Sequence, residues 1–139
     1  MTSLPCALIA ASAAIVLLLG AIHLLYTFRG DKLRPRDAAL EAQMKAVSPV
    51  ITRGTTMWKA WIGFNASHAF GAILFGLVYG YLALVHGAFL LRSAFLLGLG
   101  LVLLAGYVVL GKRYWFSVPF RGIVAATGLY ATALMLHWA

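Results

Sequence analysis

Four long apolar stretches constrain this chain more than any other feature of its sequence. They cover about residues 6–28, 58–85, 89–110 and 115–138. A helix needs about 20 consecutive apolar residues to cross a membrane, and each stretch reaches that length. With 63% apolar and 10% charged residues, the chain also has the composition of a membrane protein rather than of a soluble domain. We therefore expect an all-α polytopic membrane protein with four antiparallel transmembrane helices in one membrane domain.

The segment between the first two stretches, residues 29–57, is polar and contains all three acidic residues of the chain. Acidic residues near its start suit the first turns of a helix, because the helix dipole favours negative charge there. We predict a short amphipathic helix over 36–47 at the membrane surface, with Glu41 and Lys45 paired at four-residue spacing. Ser48-Pro49 then predicts a new helix start, with serine as the cap.

Positive charge sets the predicted orientation of the chain. Seven of the eleven Lys and Arg residues lie between Arg29 and Lys59, whereas neither terminus carries any. Cytoplasmic loops are enriched in Lys and Arg, so residues 29–57 are predicted to be cytoplasmic and both termini extracytoplasmic. The net charge of +8 then indicates contact with the lipid bilayer and its anionic lipid head groups. It does not indicate nucleic acid, since no recognition motif accompanies it.

Polar residues that lipid cannot satisfy interrupt the first two apolar stretches. Asn65, Ser67 and His68 lie inside the second, and His23 and Tyr26 lie in the last two turns of the first. At 1.5 Å per residue, His23 lies about 8 Å from the end of the first stretch, and His68 lies about 10 Å from Trp61, near which the second span is expected to enter the membrane. We predict that His23 and His68 point into the bundle and meet, with Asn65 bonded to one of them or to the first helix. These five residues are the candidate binding cluster.

Two functions of different classes are open for this cluster. The first is a non-enzymatic binding or accessory component whose ionisable residues mark a site inside the membrane. The second is a membrane enzyme, or a haem or redox protein, that uses His23 and His68 as haem ligands or as acid–base groups toward a lipid-soluble substrate. A purely structural role, in which His and Asn only join helices, is the alternative to both.

Several functions are disfavoured by what the sequence lacks. Small four-helix drug exporters work through a membrane-embedded carboxylate, and here every acid lies in residues 29–57. A transition-metal site is disfavoured because no acid, cysteine or methionine lies at the depth of the two histidines. The sequence contains no phosphate-binding loop, zinc-protease motif or Ser-His-Asp set. The polar cluster is therefore the one candidate functional site that the sequence indicates.

Two stripes of small residues follow the second apolar stretch at four-residue spacing. They consist of Gly63, Ser67 and Gly71, and of Ala72, Gly76 and Gly80. Small residues at this spacing let helix backbones approach closely. We expect them to pack helices within the bundle, between copies in a homo-oligomer, or within a larger membrane complex.

Three segments of the chain, GAIHLLYTF, TTMWKAWIGFNASHAFG and KRYWFSVPFRG, resemble an uncharacterised family of small bacterial four-helix integral membrane proteins. The resemblance covers most of the chain, and WIGFNASH is its most specific part. It implies the same four-helix fold and a bacterial inner membrane location. It singles out a set of positions without giving them an activity, substrate or cofactor: Gly20, His23, Trp58, Asn65, Ser67 and His68.

Single cysteines at Ala46 and Gly87 test the predicted orientation. On intact cells, an impermeant thiol reagent should label position 87 and spare position 46, because only the first is predicted to face outward. If the reagent labels position 46 and spares position 87, the chain has the opposite orientation.

Overall fold

The computed structural model describes residues 3–139, and this part of the chain forms six helices and no strand. In chain order they are α1 (Leu4–Phe28), α2 (Ala38–Ala46), α3 (Met57–Val85), α4 (Gly87–Arg92), α5 (Ala94–Tyr114) and α6 (Ser117–Trp138). Helices α1, α3, α5 and α6 are each long and apolar enough to cross a membrane. The predicted fold class, an all-α polytopic membrane protein, is therefore confirmed.

The third predicted span differs from the structure at its start. The sequence predicts one helix over about 89–110, whereas the chain forms the short helix α4 and then a longer helix from Ala94 to Tyr114. Ser93 separates them in an extended conformation, and its hydroxyl accepts a hydrogen bond from the backbone N–H of Leu96 at 3.3 Å. A capping serine satisfies an N–H group that has no partner in the first helical turn, so a new helix begins here.

The loop helix α2 is shorter than predicted but has the expected side-chain pair. The carboxylate of Asp37 accepts from the backbone N–H of Ala39 at 2.8 Å and so caps the helix start. The ammonium group of Lys45 donates to Glu41 as their spacing predicts. This hydrogen bond lowers the pKa of Glu41 below its usual value. None of the residues of α2 is buried against the rest of the chain, and its location at a membrane surface stays a prediction.

The predicted helix start at Ser48-Pro49 is wrong. Residues 48–56 form turns and bends, and the next helix begins at Met57. The backbone N–H of Met57 donates to the carbonyl of Val47 at 2.8 Å. This bond joins the end of α2 to the start of α3, and a helix continuing from Pro49 could not form it.

Contacts along the chain group the described residues into two compact units. The first unit contains residues up to 19 together with 72–139, and the second contains residues 20–71. The organisation as a single membrane domain therefore stays a prediction. The first unit holds the hydrophobic core, and the second holds the predicted polar cluster.

Two tyrosines organise the core of the first unit. The ring of Tyr79 stacks on Phe75 with centroids 4.5 Å apart and meets the ring of Tyr130 at 6.0 Å. The hydroxyls of Tyr79 and Tyr130 donate to the backbone carbonyls of Leu96 and Leu97, at 2.7 and 3.1 Å. The rings thus fill apolar space while their polar ends are satisfied by the first turn of α5.

The stripe that contains Gly76 packs helices within the first unit. A Cβ atom at Gly76 would lie 2.5 Å from the Cβ of Leu17 and 2.8 Å from the backbone oxygen of Ala13. Helices α1 and α3 therefore approach each other at a distance that only glycine permits. At Gly63, in the other stripe, an added Cβ would meet nothing within 4 Å.

The stripe of Gly63, Ser67 and Gly71 is exposed on α3. The two stripes thus have different surroundings, although their sequence patterns are alike.

Gly76→Ala should lower the free energy of unfolding by about 1 to 3 kcal/mol, the usual cost of overpacking a tight contact. The better helix propensity of alanine, about 1 kcal/mol, offsets part of this cost. Unfolding of the purified protein in detergent, followed by circular dichroism, measures the difference. Gly63→Ala is the matched control and should be neutral or stabilising. Equal effects at the two positions would contradict the close approach of α1 and α3.

The structure also improves the choice of positions for the topology experiment. A Cβ atom at Gly87 would lie 2.5 Å from the sulfur of Cys6, so a cysteine there would disturb local packing. Ala88 is exposed and is the better outward probe. Cys6 itself is buried, which makes it a poor target for the reagent.

Candidate functional site

Three of the five predicted cluster residues meet within the second unit. His23 lies in the last two turns of α1, and Asn65 and His68 lie one turn apart on α3. The Nε2 atom of His23 is 3.1 Å from Oδ1 of Asn65. The rings of His23 and His68 meet edge to face, with centroids 5.4 Å apart and an interplanar angle of 82°. Asn65 is buried, and both histidines are partly buried.

The backbone fixes the orientation of the Asn65 amide. Its Nδ2 donates to the carbonyl oxygen of Trp61 at 2.8 Å. A carbonyl can only accept, so the NH₂ group must face Trp61 and the amide oxygen must face His23. Since that oxygen also only accepts, Nε2 of His23 is the donor of the bond between them. Neutral His23 therefore carries its proton on Nε2, and its Nδ1 is an acceptor.

This arrangement lets His23 take up a proton or a hydrogen bond without losing Asn65. The acceptor Nδ1 can be protonated, or can accept from a ligand, while Nε2–H remains on the amide. Two unit charges at the 5.4 Å ring separation repel by about 3 kcal/mol at an effective dielectric constant of about 20. The pair of His23 and His68 therefore holds one positive charge far more readily than two.

Ser67 and Tyr26, the other two predicted residues, are not drawn into the cluster. The hydroxyl of Ser67 donates to the carbonyl of Phe64 in its own helix at 3.0 Å, and Ser67 is exposed. Ser67 precedes His68 by one residue, which places it about 100° around the helix from that ring. Tyr26 is 40% exposed and lies in the wall of a neighbouring cleft.

Thr27 and Trp61 support the cluster more directly than Ser67 or Tyr26. The hydroxyl of Thr27 donates to the carbonyl of His23 at 2.8 Å, and Thr27 is 7% exposed. Trp61 receives the Asn65 amide on its carbonyl and donates from its indole N–H to the carbonyl of Leu33 at 3.1 Å. The four-residue spacing of Thr27 from His23, and of Asn65 from Trp61, could have indicated two of these bonds from the sequence. No spacing rule connects Trp61 with Leu33, because the loop fold brings them together.

A cleft of about 220 Å³ adjoins the cluster through Thr27. The residues that line it come from the end of α1, the following loop and the start of α3: Tyr26, Thr27, Phe28, Gly30, Leu33, Arg34, Trp58 and Ile62. Thr27 belongs both to the cleft wall and to the hydrogen bonds around His23. The second unit thus carries a polar cluster inside the apolar helices and a cleft at their ends.

The two histidines do not have the geometry of haem ligands as they stand. Nε2 of His23 is bonded to Asn65, so iron could reach this atom only by displacing the amide. The edge-to-face contact of the rings leaves no slot for a porphyrin between them. Among residues 3–139, no group of three or more His, Cys, Asp or Glu side chains is placed to hold a metal ion.

Comparisons of the chain with known protein families, with curated proteins and with solved structures find no match. The resemblance to small bacterial four-helix membrane proteins therefore stays a prediction. A functional proposal for this chain is therefore based on the geometry of the second unit.

In ¹⁵N NMR of histidine-labelled protein, neutral His23 should show a protonated Nε2 and an unprotonated Nδ1. The fixed amide of Asn65 enforces this tautomer, so Asn65→Leu should allow the Nδ1–H form to appear. The signals of His23 are those lost in His23→Gln, and Ser67→Ala is the control that should leave them unchanged. An Nδ1–H tautomer in the wild-type protein would show that the amide orientation is wrong.

Proposed function

We propose that this chain is a small integral membrane protein that acts as a binding or accessory component, with the cluster of His23, Asn65 and His68 as its functional site. Its four apolar, membrane-length helices support the membrane assignment. The observation that carries the proposal is the fixed amide of Asn65, which holds one imidazole in a single tautomer beside a second imidazole.

The second histidine argues for a functional cluster rather than a structural bond alone. The amide of Asn65 bonds to His23 and Trp61, and His68 places a second ionisable ring with its centroid 5.4 Å from that of His23. An ionisable side chain within an apolar span is costly and is by default a mark of function. The acceptor Nδ1 of His23 favours a proton, or the hydrogen-bond donor of a small ligand or partner helix, as what the site binds.

The proposed setting is a bacterial inner membrane with both termini outside the cytoplasm. The excess of Lys and Arg in residues 29–57 supports this orientation and contact with anionic lipid head groups. Self-association through the exposed stripe of Gly63, Ser67 and Gly71 stays a prediction. Gly63→Leu isolates it, because the fold leaves open space at this position, and the oligomer mass in detergent should fall.

The competing function, a membrane enzyme or haem protein, depends on the same two rings. The geometry of His23 and His68 does not favour haem binding, because Nε2 of His23 is hydrogen-bonded to Asn65. A Soret band in the purified protein that disappears in both His23→Ala and His68→Ala would favour it over the binding function.

The triple variant His23→Phe, Asn65→Leu and His68→Phe separates a functional from a structural cluster. We expect it to fold, with a free energy of unfolding within about 2 kcal/mol of wild type, since hydrogen bonds between membrane helices contribute about 0.6 kcal/mol on average. In the source cells, this folded variant should reproduce the phenotype of a deletion. Ser67→Ala, which leaves the cluster intact, should behave like wild type.

Two results would contradict the proposal. A triple variant that is folded and also restores the wild-type phenotype would show that the cluster is not the functional site. A loss of stability well above about 3 kcal/mol, measured in detergent, would show that the cluster is structural, because removal of a weak interhelical bond cannot account for that loss.

A further inference from the structure

The cleft beside the cluster is not used by the proposed function. It lies where α1 ends at Phe28 and α3 begins at Met57, which are the ends of two membrane-length helices. Lipid head groups lie at this level of a membrane, and tryptophan and tyrosine are enriched there. Tyr26 and Trp58 both line the cleft.

The charges around the cleft favour an anion. The negative end of the α1 dipole and the positive end of the α3 dipole both border it, and these partial charges of about half a unit offset each other. Arg34 is the charged side chain among the lining residues. Residues 29–59 contain seven Lys or Arg and three Asp or Glu, which gives this segment a net charge of +4. Arg34 therefore supplies the positive charge on the cleft wall, and the carboxylates of Asp31 and Glu41 act against it.

The guanidinium of Arg34 is available to a ligand. Its side chain is 51% exposed, and its ion pair with Asp31, at 3.3 Å, involves a carboxylate that is 85% exposed. An exposed ion pair of this kind contributes little stability, so an incoming anion can replace it. A guanidinium has five N–H donors in a fork that matches a phosphate group.

The walls of the cleft are held in place by contacts within the second unit. Gly30 adopts φ +82°, a left-handed conformation that turns the chain sharply after α1. The indole N–H of Trp61 donates to the carbonyl of Leu33 and so ties the loop to α3. The ammonium of Lys45 lies 5.2 Å from the ring centroid of Trp58 and orders that ring. The cleft is thus preformed rather than a gap in a loose loop.

We propose that this cleft binds the head group of an anionic phospholipid, with the phosphate on Arg34 and the glycerol and first acyl carbons against Tyr26 and Trp58. Its volume of about 220 Å³ is below the range of about 300 to 1,000 Å³ typical of whole-ligand pockets, so it suits a head group whose acyl chains remain in the bilayer. This inference rests on the proposed contact with anionic lipid head groups, for which it names the site, and it does not use His23 or His68.

Native mass spectrometry of the full chain in detergent tests the proposal. With equal amounts of phosphatidylglycerol and phosphatidylcholine, we expect preferential binding of phosphatidylglycerol. Arg34→Gln should weaken this binding about fivefold, the factor that corresponds to about 1 kcal/mol per cation near a membrane surface. Arg53→Gln is the matched control, because Arg53 is exposed in the same loop but does not line the cleft, and it should change the binding by less than twofold.

Three outcomes would overturn the lipid site. Equal losses in Arg34→Gln and Arg53→Gln would indicate diffuse attraction to the basic loop. Equal binding of the two lipids by wild type would remove the preference for an anion. Displacement of phosphatidylglycerol by millimolar glycerol 3-phosphate would assign the cleft to a soluble phosphate instead. None of these outcomes affects the proposed function of the histidine cluster, which the triple variant tests separately.

Discussion

The structure depends on one constraint, which is that the hydrocarbon of a membrane offers no hydrogen-bond partner. Every polar group on an apolar helix must therefore find its partner within the protein. In residues 3–139, every buried side-chain nitrogen or oxygen atom has one. Ser12 on α1 donates to the backbone carbonyl of Ala126 on α6 at 2.8 Å, and the buried hydroxyl of Tyr130 donates to α5. These bonds specify which helices face each other inside the first unit.

Close approach of helix backbones is the second requirement. Apolar side chains alone do not drive membrane helices together, because lipid tails are equally apolar. Helix contact must therefore depend on how closely the two surfaces fit together. Gly76 lets α1 and α3 meet where any side chain would collide with Leu17. At Gly63, in the other stripe of α3, an added Cβ atom would meet nothing within 4 Å among the described residues. A small-residue pattern thus indicates the capacity for close packing, and the neighbouring helix decides whether it is used.

The histidine cluster follows from the same constraint and adds chemistry to it. Asn65 satisfies both ends of its amide within the second unit, and in doing so it selects the tautomer of His23. The neutral ring of His23 then has an acceptor nitrogen, Nδ1, and it lies edge to face with the ring of His68. Because like charges at this distance repel, the two rings together are suited to one proton or one hydrogen-bond donor.

The sequence by itself determined the features that depend on neighbours along the chain. The four apolar spans follow from length and hydropathy, and the bond between Glu41 and Lys45 follows from the four-residue period of a helix. Counting residues from Phe28 and from Trp61 at a constant rise predicts a similar depth for His23 and His68. These features are local, so they do not require knowledge of which helices meet.

Only the tertiary structure decided the features that depend on distant residues. No helix starts at Ser48-Pro49, where Met57 instead bonds to Val47 across the loop, whereas α5 starts after Ser93, inside what the sequence predicts as one span. Ser67 is turned away from the cluster although it is next to His68 in sequence. The indole N–H of Trp61 donates to the carbonyl of Leu33, 28 residues earlier, and so ties the loop that lines the cleft to α3. Helix rotation and loop closure set these contacts, and neither is fixed by periodicity or composition.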